Sequence, residues 1–255
     1  MNCIDLNADL GESFGAWRMG DDAGVMPWIT SANIACGFHA GDPATMRATV
    51  TLCVEHGVAI GAHPSLPDLQ GFGRREMKVT PNEVYAQMLY QVGALHAITH
   101  AAGTQLHHVK PHGALYNMAA RDRALADAIA NAVRDFDHRL VLVGLAGSTL
   151  VDAGRDAGLP VQREGFCDRR YSMDGSLTSR SEAGAVIEDI DEAVAQAMSI
   201  ALRSEAVASS GAKVRVDADT LCVHGDRPTA AMFAERLRCA LESAGVRIAA
   251  AERPA

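Results

Sequence analysis

The 255 residues suffice for one large α/β barrel or two modest domains, and 48% apolar against 21% charged residues is a globular balance rather than a disordered one. A net charge of −8 argues against a surface built for phosphate backbones, so no nucleic-acid partner is expected. The opening residues lack the basic start and apolar run of a secretion signal. No stretch approaches about 18 uninterrupted apolar residues, so no membrane span is expected. The six cysteines are scattered without a C-x-x-C pair, which suits reduced thiols in the cytoplasm better than a stapled or zinc-bound domain.

Taken in chain order, short apolar runs at 3–8, 31–36, 58–62, 106–110, 140–145, 161–166 and 220–223 read as strands buried on both faces. Between them the helices are well punctuated. Asp42-Pro43 opens one that Gly57 closes, and Thr80-Pro81-Asn82-Glu83 is a capping box whose helix stops at Gly103. Further helices are expected over 148–158, 181–209 and 228–245. Such repeated alternation predicts an α/β fold with a parallel sheet, open or closed into a barrel. With no break in composition, 1–255 reads as a single domain. Two connections, 64–79 and 168–180, are longer than a crossover needs and read as binding segments or lids.

The candidate chemistry collects where strands end. Asn7, Asp9 and Glu12 follow the first, His39 the second and His63 the third. Lys110 and His112 follow the fourth, Asp168 the sixth, and His224 with Asp226 the seventh. In α/β folds that end is where ligands bind. Asp42 reads as a helix cap, and His56, His96, His100, His107 and His138 as structural. Arg74 and Arg75 compete with the plainer reading of a solvated loop tip. Carboxylates, imidazoles and one lysine converging in this way suit hydrolysis or acyl transfer. Asp and His from different strands also make a plausible divalent-metal set. There is no P-loop and no G-x-S-x-G elbow, so a familiar ATP cradle is not expected.

At these residues the sequence resembles a known family. The runs Asp5–Gly15 and Ser31–Pro43 are similar to those of the LamB/YcsF family, the A subunits of bacterial 5-oxoprolinase. So are Gly61-Ala62-His63-Pro64-Ser65, Gly71-Phe72-Gly73-Arg74-Arg75, His108–Asn117 and Cys222-Val223-His224-Gly225-Asp226. Cys167, where a small residue such as alanine would be usual, is a mild departure. The resemblance implies a distorted parallel (β/α)7 TIM-like barrel similar to glycoside hydrolase and deacetylase barrels. It also implies ATP-dependent opening of 5-oxoproline to L-glutamate, with B and C subunits through which the ATP is used. On that basis Asp9 or Glu12 is expected to activate water, with Lys110 and His112 holding the oxyanion or phosphate. Asp168 is expected to be catalytic. Asn7, His39, His63 and His224 are expected to place the substrate, with Arg74 and Arg75 over its carboxylate. Any metal would fall to Asp9, His39 and His63. Two competing readings are a stand-alone metal-dependent amidohydrolase or deacetylase and a lactam-binding regulatory subunit without chemistry. Oligomeric state is left open.

Overall fold

A computed structural model describes residues 3–225 and 229–253. The first strand, β1 (Cys3–Leu10), states the design in eight residues. Side chains alternate across a strand. Leu6, Ala8 and Leu10 therefore join the apolar core, while Asp5, Asn7 and Asp9 take the opposite face. Chain order continues with α1 (Asp22–Val25), β2 (Ser31–Ala35), α2 (Pro43–His56), β3 (Ala59–His63), α3 (Pro81–Ala101) and β4 (His108–Val109). Then come α4 (Gly113–Ala119), α5 (Arg123–Asp137), β5 (Val141–Leu145), α6 (Thr149–Asp156), β6 (Val161–Phe166) and α7 (Ile190–Arg203). The last elements are β7 (Glu205–Val207), β8 (Lys213–Arg215), β9 (Thr220–His224), α8 (Ala230–Ser243) and β10 (Arg247–Ile248).

Seven of these strands pair in parallel in the order β1-β2-β3-β4-β5-β6-β9, and β9 pairs back onto β1, closing the barrel. Asp9 lies in register with Asn33 on one side and His224 on the other, so closure itself brings residues 9 and 224 together. The expected (β/α)7 architecture is what forms. β7 and β8 are a small antiparallel hairpin outside the barrel, and β10 adds to the start of β1.

The caps are where the sequence puts them. The Asp42 side chain accepts from the backbone N–H groups of Ala44 and Thr45 at 2.8 and 2.9 Å. Thr80 and Glu83 form the reciprocal box at the start of α3. Three expectations need correction. The helix expected over 181–209 begins only at Ile190, because Asp189 caps it by accepting from Glu192 N–H, and it ends at Arg203. Ser204 then turns left-handed and 205–207 becomes a strand. The fourth strand is a two-residue ladder, His108–Val109; Pro111, without an N–H, follows it closely. Finally, α4 and α5 fill a stretch where no helix is expected from the sequence, although Asp122 caps α5 by accepting from the Ala124 and Leu125 N–H groups and the apolar residues of α5 keep a helical period. Asp226 and Pro228 lie outside the described residues. Among those described, no helix is long and apolar enough to cross a membrane.

Candidate active site

The barrel interior is polar from floor to mouth, and buried polar groups need partners. On the floor, Asp5 accepts from Thr30 (2.6 Å), Ser31 (2.7 Å) and Thr220 (2.6 Å) hydroxyls. One layer up, Asn7 Nδ2 donates to Thr220 Oγ1 at 2.7 Å, and Asn33 Nδ2 donates to Asn7 Oδ1 at 2.7 Å. The His108 ring reaches Asn33 Oδ1 at 2.8 Å. That ring fits only because residue 61 is glycine: a Cβ there would lie 2.0 Å from His108 Nε2.

Lys110 occupies the next layer, 2% exposed. Its ammonium lies 2.8 Å from Asp9 Oδ1, 2.7 Å from Glu164 Oε1, 3.1 Å from Asn7 Oδ1 and 3.2 Å from Cys222 Sγ. The fully buried Glu164 also accepts from the Tyr116 hydroxyl at 2.7 Å. Burial alone would push the Lys110 ammonium down, but Asp9, Cys222 and Glu164 reverse the sign and hold it well above the ordinary lysine value. Asp9 mirrors it: burial opposes its charge, yet His63 and Lys110 hold its carboxyl well below the usual carboxylate range. Asn33 adds a hydrogen bond of 2.8 Å to the same Asp9 oxygen. An ammonium has three protons, and four acceptors inside the barrel already surround this one. Lys110 is therefore the pin beneath Asp9, committed before any ligand arrives.

At the mouth the rings of His39 and His112 stack at 3.9 Å, with His63 edge-on to both. Glu12 Oε1 lies 3.9 Å from Nε2 of His39 and of His112. His63 Nδ1 donates to the Lys110 carbonyl at 2.7 Å, which leaves Nε2 facing Asp9 Oδ1 at 3.4 Å. Nε2 of His63 and both ring nitrogens of His39 are buried without a hydrogen-bond partner among the described residues. Burial, then His63, pushes the His39 imidazolium well below its ordinary range; burial, then His39 and His63, does the same to His112. Both rings are neutral at pH 7, the form that offers a lone pair to a metal. One ligand atom each from Glu12, His39, His63 and His112 fall within 4.8 Å of one another, a donor set that fits a divalent cation.

Across the cavity, His224 Nδ1 meets Asp168 at 2.9 and 3.0 Å, and its Nε2 lies 3.1 Å from Arg180. An imidazole so tied by a carboxylate presents its other nitrogen in a fixed tautomer. Asp9, Cys222 and His224 form a second close group, with Asp9 shared between the two halves of the site. The whole opens into a cavity of about 660 Å³ that Asp9, Glu12, His63, His112, Arg74 and His224 help to line.

The two long loops wall this cavity. Gln91 fixes the 64–79 loop by accepting from Ser65 N–H and donating to Ser65 O, both at 2.9 Å. Gly73 then passes against the stacked histidines in a left-handed conformation (φ +64°), where a Cβ would lie 2.8 Å from His112 Nδ1 and 2.9 Å from His39 Cβ. Arg74 lines the cavity, its guanidinium 4.8 Å from the Phe72 ring centroid. Arg75 turns outward, 66% exposed, into a forked pair with Asp68 that staples the loop. After β6, the Gln196 side chain donates to the carbonyls of Phe166, Cys167 and Arg169 and so fixes the turn that carries Asp168.

Of the residues singled out in the sequence, Asp9, Glu12, His39, His63, His112, Asp168, Arg74 and His224 come together at one mouth. Asn7 and Lys110 lie beneath it, and Arg75 faces away. The histidine cluster gathers around Glu12 as well as Asp9, a wider donor set than Asp9, His39 and His63 alone. Sequence reasoning missed Asn33, His108, Tyr116, Glu164, Arg169 and Arg180. The one available signal for Glu164 was its charge inside an otherwise strand-like run, two residues after Gln162 on the same face.

The LamB/YcsF family profile matches residues 4–255. The chain belongs to the LamB/YcsF family. Within it, the chain is 58% identical over 248 residues to the 5-oxoprolinase A subunit of Bordetella pertussis, covering 97% of this chain and 98% of that one. It is 60% identical over 247 residues to the protein of the same name from Methylococcus capsulatus, covering 97% and 95%. Among solved structures, the lactam utilization protein from Thermus thermophilus matches with a TM-score of 0.92 at 51% identity, over 98% of this chain and all of that one.

Proposed function

We propose that this chain opens the ring of 5-oxoproline at its amide C–N bond to give L-glutamate, as the A component of an ATP-dependent assembly with separate B and C subunits. The observation that carries the reading is the pairing, across one cavity, of a carboxylate-tied histidine (Asp168–His224) with a cluster of three imidazoles around Glu12. The names borne by relatives at 58% and 60% identity, and the lactam named for the Thermus protein, supply the substrate class.

A lactam carbonyl is a weak electrophile. Water must lose a proton as its oxygen bonds the ring carbon, and the ring nitrogen must gain one as the C–N bond breaks. His224, held by Asp168 through Nδ1, accepts the first proton at Nε2 once the Arg180 guanidinium beside that nitrogen turns to the substrate, and returns it to the ring nitrogen; the other water proton leaves as the new C=O forms. Asp9 is less suited to that task than the sequence alone suggests, since Lys110 and Asn33 on its Oδ1 depress its basicity. Its part is to fix His63 and to set the charge behind the cluster. His39, His63 and His112, with Glu12 in reach as a fourth donor, would hold a divalent cation, which when bound polarises the carbonyl. ATP acts through the partners by phosphorylating the amide oxygen. One water then opens the ring, and a second releases inorganic phosphate from the resulting acyl phosphate.

The test is glutamate release from 5-oxoproline by this chain with and without ATP, chelator and the B and C proteins. Full dependence on ATP and both partners, with a loss of roughly 10²–10³-fold for His224→Ala, is the expected result. Turnover by the chain alone, abolished by chelator, would instead favour a stand-alone metal-dependent amidohydrolase. Lactam binding without any contribution to turnover would make it a regulatory component.

A further inference from the structure

Arginines crowd the cavity mouth in a chain whose net charge is −8. Two of them, Arg121 and Arg215, are matched at the rim by Glu76 and Asp217. Arg169 is different. It is 4% exposed, one Nη donates to the Thr178 carbonyl at 2.6 Å, and its Nε has no hydrogen-bond partner among the described residues. The Thr178 hydroxyl is likewise buried and without a partner among the described residues, and both residues line the cavity. Arg180, also lining the cavity, contacts His224. Arg74 faces the same space from the opposite loop. Burial, then Arg180, lowers Arg169 to about 10, with Arg74 pulling the same way, so the guanidiniums along this wall repel one another.

We propose that Arg169, Arg180, Arg74 and the Thr178 hydroxyl form a binding site for a phosphoryl dianion beside His224. A buried guanidinium N–H and a buried hydroxyl left without acceptors carry an uncompensated desolvation cost, and an oxyanion is the ligand that supplies acceptors to both. The substrate's own carboxylate carries one charge and two oxygens, which a single guanidinium fork satisfies. Three guanidiniums and a hydroxyl exceed that need, whereas a phosphoryl group has two charges and three free oxygens. The assignment of its source rests on the reading above, in which the activated lactam carries phosphate. The site then holds that phosphoryl while His224 acts on the adjoining carbon.

The experiment is calorimetric titration of the isolated full chain with inorganic phosphate and, separately, with 5-oxoproline. Saturable phosphate binding is expected, weakened at least tenfold in Arg169→Met and unchanged in the rim variant Arg215→Ala. Thr178→Val removes the unpartnered hydroxyl at constant shape and is expected to weaken phosphate several-fold; it serves as well if Arg169→Met does not fold. Absence of phosphate binding would overturn the proposal. So would phosphate binding indifferent to both variants, or an Arg169 dependence seen for 5-oxoproline and not for phosphate. None of these outcomes depends on glutamate release, so the lactam reading and the phosphoryl site fail separately.

Discussion

The two ends of the barrel hold cavities of nearly equal size, about 640 Å³ at the strand starts and about 660 Å³ at the strand ends. The first is walled by residues such as Met26, Ile29, Cys53 and Val58, with His56 and Arg238 also lining it. The second gathers carboxylates, three histidines and several arginines. Volume therefore says nothing about function here; the difference lies in which way the strands run. Each parallel strand releases its last inward side chain and its following loop at the same end, so residues far apart in sequence converge there without being neighbours in any motif.

The sharpest way to break the comparison is to remove the pin below the functional end. Lys110→Ala leaves Asp9 and Glu164 facing each other with no cation between them. A loss of about 3–5 kcal/mol in unfolding free energy is expected, because a buried charge whose partner is deleted costs far more than the pair gained. Chemical denaturation reads it directly; a loss below about 1 kcal/mol would mean that the charged layer is not a closed network. Glu12→Gln and His112→Ala come next. Each should lower glutamate release in the reconstituted assembly by about 10²–10³ with little change in melting temperature, while His56→Ala at the other end stays within about twofold. Equal sensitivity of the two ends would dissolve the distinction.

That distinction was partly legible in the sequence. The seven barrel strands and the histidines that end them follow from apolar runs bounded by glycine and polar residues, because those signals are local; closure into a barrel was implied only by the family resemblance. The layer beneath was not. Glu164, Asn33 and His108 are polar residues inside strands, and their meaning depends on which strands adjoin, a fact that closure decides and spacing does not. Arg75 illustrates the opposite failure. It sits beside Arg74 in the sequence, yet one faces the cavity and the other pairs with Asp68 outside it. Alternation along a loop has no period to read.

Glycine offers a finer contrast. Gly57 and Gly73 share a left-handed conformation, φ +67° and +64°, at opposite ends of the barrel. A Cβ on Gly57 would meet nothing within 4 Å among the described residues, so Gly57→Ala should cost only the backbone penalty of about 1 kcal/mol, a fall of about 2–4 °C in melting temperature, with activity intact. A Cβ on Gly73 would press on Ser65 Oγ, His112 and His39. Gly73→Ala should add to that penalty and also displace the stacked rings, lowering turnover by at least tenfold. If both variants lose only stability, the 64–79 loop is a cover and not a wall of the site.

The smallest effect tests the floor, where charge serves structure alone. Burial raises the Asp5 carboxyl above its ordinary 3.8, and the Thr220, Thr30 and Ser31 hydroxyls recover only part of the shift. Between pH 3.8 and that raised value the folded chain holds a proton that the unfolded chain has released. The contribution of Asp5 to stability therefore falls as pH rises through the window and is constant above it. An asparagine side chain cannot titrate, so the stability of Asp5→Asn relative to the parent should improve as pH rises from about 4, whatever its constant offset from the altered Thr220 contact. Paired denaturation curves at about pH 4 and about pH 7 suffice. A gap that stays the same at both would place Asp5 ionised throughout, with its three hydroxyl donors strong enough to offset the full cost of burial.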